Sequence, residues 1–292
     1  MSSRIVPALV SSAVLAVLTP AGAHAASDHG DAVRTAETGI SAQAYAAQSD
    51  GPAILYINGC FSSGCRVTGG SGSSSQTNTS SLLKGDASVQ PYAQGQAHFD
   101  QVVSCVRDIF EPFGISVTDV DPGAVPHFES IVGGSTPESL GFPSQIGGVA
   151  PTSCGVIPNA ISFVFPTRLD GSVRETCETI AHEAAHTWGL EHSYMCEDTM
   201  TYLSGCGAKE FEDADVMSGE SQPRACQCGG TTQNSYRKLV DLFGVANPTP
   251  PTVQLMSPTP GSRVDPGFTV IAQASDDTEV RLVELWIDRQ RV

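Results

Sequence analysis

Positive charge is scarce in this chain: 15 Lys and Arg stand against 31 Asp and Glu among 292 residues, a formal net charge of −16. A surface that tracks phosphates needs clustered cations, so DNA and RNA are excluded as partners. The acidity reads as a solvated surface that keeps the protein soluble. Long apolar runs are missing after the first 25 residues, and none approaches the roughly 20 residues a spanning helix needs. Cysteine is absent from residues 1–59. The N-terminal region therefore offers no thiol for a lipid, and residues 26–50 offer none to cap a metal. EF-hand spacing is absent too, so the acidic stretch EFEDAD (210–215) reads as a solvated loop, and a Ca2+ site there has no support beyond its charge.

What is present points to a folded protein outside the cytoplasm. Hydrophobic residues make up 40% of the chain, enough for one large domain or two modest ones with real cores. Arg4, the apolar stretch from Ile5 to Leu18, and Ala23-His24-Ala25 form the pattern of a secretory signal peptide over 1–25, with the mature chain starting at Ala26. All nine cysteines lie beyond it, in a chain bound for an oxidising compartment, and so are expected in disulfides. Eight cysteines can pair in on the order of a hundred ways. Cys60 with Cys65, or Cys196 with Cys206, would close short loops, and one cysteine must be left over.

Residues 26–50 are small, polar and unpatterned, as expected of a flexible N-terminus or a short pro-segment. ILYIN (54–58) reads as a buried strand between Pro52 and Gly59, and further strands are expected at 115–120, 127–132 and 160–165. Residues 69–81, GGSGSSSQTNTSS, read as a flexible surface loop. Apolar residues at 99, 102, 103, 106, 109, 110 and 113 keep helical spacing until Pro112 and Gly114 end the pattern. A second helix is expected to begin after Ser172, with Glu175 completing a capping-box pattern, and to run to Gly189; a third should span about 233–243. The large domain thus covers 51–245. A Pro-rich linker follows at 246–252, and the strand-like runs of 253–292 resemble the opening of a bacterial immunoglobulin-like module. That sandwich needs about seven strands, so the sequence is expected to be truncated within it.

The most specific feature is HEAAHTWGLEH, residues 182–192. At 3.6 residues per turn, His182 and His186 project from one helix face and can share one zinc ion. Glu183 sits where a carboxylate can take a proton from water beside the metal. Gly189 can turn left-handed and end the helix, bringing His192 back as a third ligand. Three nitrogen ligands with a fourth position open are the arrangement of catalytic rather than structural zinc. His98 and His127 each stand alone and read as surface or core histidines.

The spacing H-E-x-x-H-x-x-G-x-x-H, carried by His182, Glu183, His186, Gly189 and His192, resembles the zinc signature of the metzincin metallopeptidases. The resemblance implies an α+β fold of two subdomains, a twisted mixed sheet with long helices above the cleft and an irregular, disulfide-bearing lower part ending in a helix. It implies a methionine beneath the metal. Met200 is favoured, at a matrixin-like distance from His192, and Met217 is the alternative, in a VMSG stretch similar to snapalysins. Tyr202, two residues past Met200, matches the Met-x-Tyr arrangement of astacins and serralysins, where a hydroxyl can serve the oxyanion. The activity implied is that of a secreted, monomeric endopeptidase with one Zn2+, hydrolysing protein or peptide substrates with Glu183 as general base; a substrate strand would pair with an edge strand lying between Ile146 and Phe165. Two rival expectations are a secreted adhesin with a vestigial zinc site and a zinc hydrolase of a non-protein substrate.

Overall fold

The computed structural model describes residues 37–46, 52–246, 252–259, 261–275 and short stretches between 283 and 291. The expected signal segment and linker residues 247–251 lie outside them. In chain order the elements are α1 (Ala42–Ala46), β1 (Ala53–Asn58), β2 (Cys65–Gly69), β3 (Thr79–Ser80), β4 (Ala87–Val89), α2 (Gln96–Phe110), β5 (Ile115–Thr118), β6 (Phe128–Val132), β7 (Gly148–Val149), β8 (Ile161–Val164), α3 (Val173–Thr187) and α4 (Ser235–Phe243). A hairpin of β9 (Thr252–Ser257) and β10 (Ile271–Ser275) follows. The result is a mixed fold of several sheets and few helices.

The central sheet has the order β5-β1-β6-β8-β7. Its first four strands are parallel and β7, at one edge, runs antiparallel to β8. Successive side chains on a strand point to opposite faces, so each face is given its own partner layer. Leu55, Ile57 and Phe128 turn to the face covered by α2 and α3, where they join Val102, Val106, Ile180, Ala184 and Trp188 in the larger core. Ile131, Ile161 and Phe163 turn the other way and join Val67, Val89 and Leu82, which the small sheet β3-β2-β4 and its loops supply. Apolar burial at about 25 cal/mol per Å² makes these two cores the main stabilising term.

Helix ends follow their capping chemistry. The Ser172 side chain accepts from the Glu175 N–H at 3.2 Å and starts α3, but the Ser172 N–H bonds back to the Leu169 carbonyl, so only half of the box forms. The Asn234 side chain accepts from the Arg237 N–H at 2.8 Å and starts α4. Disulfides join Cys60 to Cys65, Cys105 to Cys177, Cys154 to Cys228 and Cys196 to Cys206, leaving Cys226 as the free thiol among the described residues. The Cys105–Cys177 bond ties α2 to α3, the helix that carries the histidine motif.

Two expectations are corrected. Residues 69–81 are not a loose loop: Ser75 and Ser80 are buried, Ser75 N–H donates to the Asn159 carbonyl at 2.8 Å, and Ser75 Oγ donates to the His127 carbonyl. Small polar side chains that signal solvent in the sequence instead satisfy backbone groups brought in from far along the chain. Part of the segment 26–50 is likewise docked. Ile40 exchanges both backbone hydrogen bonds with Val156, at 2.8 and 2.9 Å, and Tyr45 packs its ring against Phe128 and Phe243.

Candidate metal centre

Helix α3 delivers His182 and His186 to one buried face, and the turn after it returns His192 beside them. That turn requires Gly189. Its φ is +84°, and a Cβ there would lie 3.1 Å from the backbone of Cys154 and Gly155, so a side chain meets both strain and crowding. Lys238 of α4 donates to the Gly189 carbonyl and fastens the turn from below.

Each histidine has its outer nitrogen committed. His182 Nδ1 donates to the Thr199 carbonyl at 2.9 Å, His186 Nδ1 to the Leu190 carbonyl at 2.8 Å, and His192 Nδ1 to the Glu220 carboxylate at 2.7 Å. Carbonyl and carboxylate oxygens only accept, so the tautomers are set and the three Nε2 lone pairs are left for a cation. Those nitrogens converge: His186 Nε2 lies 3.0 Å from Nε2 of both His182 and His192. Burial, and then the charge of the neighbouring histidines, hold the His182 imidazole well below its usual value and so neutral. Among the described residues this trio is the group of metal-ligating side chains whose donor atoms all lie within 4.8 Å of one another. Three pre-oriented imidazoles whose Nε2 atoms converge fit a borderline-soft dication such as zinc.

Glu183 is buried one residue along from His182, and its Oε2 has no hydrogen-bond partner. Desolvation pushes its carboxyl up to about 8, whereas a dication at the focus of the triad would favour the carboxylate. It packs under edge strand β7: a Cβ on Gly148 would come within 2.6 Å of Glu183 Cγ and Oε1. Tyr202 lays its ring over His192, centroids 3.9 Å apart, and more distantly along His182. Met200 is fully buried in the larger core, with its N–H donated to Asp198 Oδ1 at 2.8 Å and its carbonyl accepting from Ser193 N–H at 2.9 Å. Met217 is 41% exposed and meets this region through its carbonyl, which accepts from the Tyr194 N–H.

Residues 251–292 match the model of a bacterial Ig domain. No curated protein matches the chain. The matched segment covers the hairpin of β9 and β10 and leaves the histidine-bearing domain outside it. Disulfides and an Ig domain are compatible with an extracellular protein, and among the described residues no helix is long and apolar enough to cross a membrane.

The lone histidines serve structure. His98 bridges the Tyr92 hydroxyl and the Gly171 carbonyl, and buried His127 bonds the Val125 carbonyl. Three groups around the site escaped the sequence reading. Glu220 orients His192 and is itself held by Arg224 at 3.0 Å; the hydrogen bond from His192 and then Arg224 keep its carboxyl far below the usual range. Arg224 also reaches Glu191 at 2.8 Å. Asp198 accepts from Met200 N–H, Ser235 Oγ and Glu212 N–H, lacing the lower region to α4. Gly148 clears space for Glu183. The pairings of Glu220 with His192, Arg224 with Glu191, Asp198 with Ser235 and Gly148 with Glu183 join residues distant in sequence, with no motif to announce them.

Proposed function

We propose that this chain is a secreted zinc-dependent endopeptidase of metzincin type, acting on protein or peptide substrates as a monomer. The observation that carries the reading is the convergence of three imidazole Nε2 atoms beside a buried glutamate oxygen with no partner. His182, His186 and His192 would hold the zinc ion. When bound, zinc supplies a Lewis acid that polarises a carbonyl and lowers the pKa of water. Glu183 accepts the proton of the attacking water at its unpartnered Oε2 and hands it to the departing amine. Met200 forms the packed floor under the histidines, and the Tyr202 hydroxyl donates to the oxyanion. A peptide, rather than another acyl substrate, is favoured by β7: it ends the sheet directly over Glu183, so an extended segment can add to it as a further strand.

The test is cleavage of a mixed peptide library by the mature chain beside Glu183→Gln, with zinc content determined for both. Cuts by the parent alone, at about one zinc in each protein, are expected. Turnover surviving in Glu183→Gln with zinc retained would remove Glu183 from its role. The Ig match at 251–292 supports a second reading, a secreted binding protein with an idle zinc site. It predicts zinc in both proteins and no cuts in either, while metal-dependent turnover of a non-peptide ester or amide alone would identify a different hydrolase.

A further inference from the structure

Because side chains alternate along a strand, Tyr56 and Asn58 on β1 and Glu129 on β6 share the sheet face turned away from Leu55, Ile57 and Phe128. They line a cavity of about 620 Å³ to which none of the histidine-site residues contributes. Its size lies in the range of small-molecule sites, roughly 300–1,000 Å³. Glu129 is 2% exposed, accepts one hydrogen bond from Asn58 Nδ2 at 2.7 Å, and leaves Oε2 with no partner. A carboxylate in such a place is costly unless something cationic meets it.

Among the described residues, the cavity wall supplies no cation that pairs with Glu129 Oε2. Asp119 and Asp121 add negative charge, and both press on Tyr56, which with burial first raises its hydroxyl to about 12. Arg107 is taken by Asp119 at 3.0 Å, and Arg66 by Asp86 at 3.0 Å. Asp121 accepts from the Gly123 N–H at 2.7 Å and has no cationic partner among the described residues. A bare metal ion does not suit the arrangement, because Glu129, Asp119 and Asp121 do not bring three donor atoms within 4.8 Å, as the histidine trio does. The acids are spread around a wide space that also presents aromatic rings, Tyr56, Phe99 and the 39% exposed Phe61, whose faces attract cations. One buried, unpartnered carboxylate oxygen asks for a compact multi-donor charge rather than a two-pronged planar one.

We propose that this cavity binds an organic cation through a primary ammonium group paired with Glu129. The ammonium donates to Glu129 Oε2, its alkyl stem lies against Phe61 and Tyr56, and Asp121 adds long-range attraction. The same chemistry comes from a free small amine or from a lysine side chain of a peptide.

The test titrates the full chain with n-butylammonium chloride by calorimetry, beside n-butanol, N-acetyl-lysine-methylamide and calcium chloride. Saturable binding of n-butylammonium but not n-butanol is expected. Glu129→Gln should weaken it by about tenfold or more, the scale of one lost charge-assisted bond. The glutamine keeps an acceptor for Asn58, and should it nonetheless fail to fold, Asp121→Asn and Phe61→Ala at the wall should each weaken binding severalfold. Tighter binding of the lysine derivative than of n-butylammonium assigns the site to peptides, and the reverse assigns it to free amines. The proposal is overturned if n-butylammonium does not saturate, if its affinity is unchanged in these variants, or if calcium occupies the site in its place.

Discussion

At the scale of single residues, Gly148 and Glu129 decide more than their chemistry announces. A methyl group on Gly148 would sit 2.6 Å from the Glu183 carboxyl, deep inside contact distance. Gly148→Ala should therefore retain zinc, because the atoms its Cβ meets first belong to Glu183 and not to a histidine, and lose turnover by about a hundredfold, the scale of a misplaced catalytic group. Zinc analysis with peptide kinetics reads both. Glu129 carries a pH signature: burial first, then the charge of Asp121, raises its carboxyl from 4.5 to about 7 against the pull of Asn58. Between those values the folded chain keeps a proton that the unfolded chain has released. The contribution of Glu129 to stability is thus fully present below about pH 4.5 and is lost as pH rises through about 7. Denaturant melts should find Glu129→Gln near the parent at pH 4.5 and more stable by up to ~3 kcal/mol at pH 8. An equal difference at both pH values would contradict this. The histidine motif was legible in the sequence because i, i+4 spacing on a helix is a local rule. Glu220, Asp198 and Gly148 were not, since each acts on a partner that only the fold brings near.

At the scale of elements, legibility follows the same divide between local and distant. Helices α2, α3 and α4 and strands β1, β5, β6 and β8 lie where periodicity and caps put them, with ends moved by a residue or a few. The seryl segment 69–81 was misread because its hydroxyls satisfy remote carbonyls, and the small strands β3 and β7, two residues each, carry too little pattern to be seen. The Cys105–Cys177 bond could not be chosen from the sequence either. It closes a loop of 72 residues and clamps the motif helix to α2. Replacing both cysteines by Ala should lower stability by about 4 kcal/mol on the loop-entropy scale, read as a shifted denaturant midpoint. The same change at Cys60 and Cys65, five residues apart, should cost less. Equal costs would show that strain or enthalpy outweighs loop closure.

At the scale of the whole molecule, any ion held by the histidine trio would couple its binding to folding. His182, His186 and His192 are close in the sequence, but only the folded helix α3 and the left-handed turn at Gly189 bring their Nε2 atoms together, so an ion that favours the native site would stabilise the fold by mass action. With free zinc at about a thousand times the dissociation constant, the gain is about 4 kcal/mol, and chelation should lower the melting temperature by roughly 10 °C. Calorimetric scans with and without a chelator measure it, and an unchanged melting point would mean that the trio holds no ion under those conditions. The sequence offered the mixed helix and sheet character and the Ig-like tail at this scale. How the sheet is covered on both faces, and the cavity that one face carries, depended on packing that no local pattern encodes.

The stretch 153–157 looks like the most replaceable part of such a molecule, a short connection with a glycine in it. Yet Ser153 and Val156 hold the N-terminal segment, Cys154 is bonded to Cys228 beyond the Glu220 loop, and the Gly155 backbone is the wall against which Gly189 turns. Three regions far apart in the chain are indexed against five residues. Removing one residue here would slip all three out of step together.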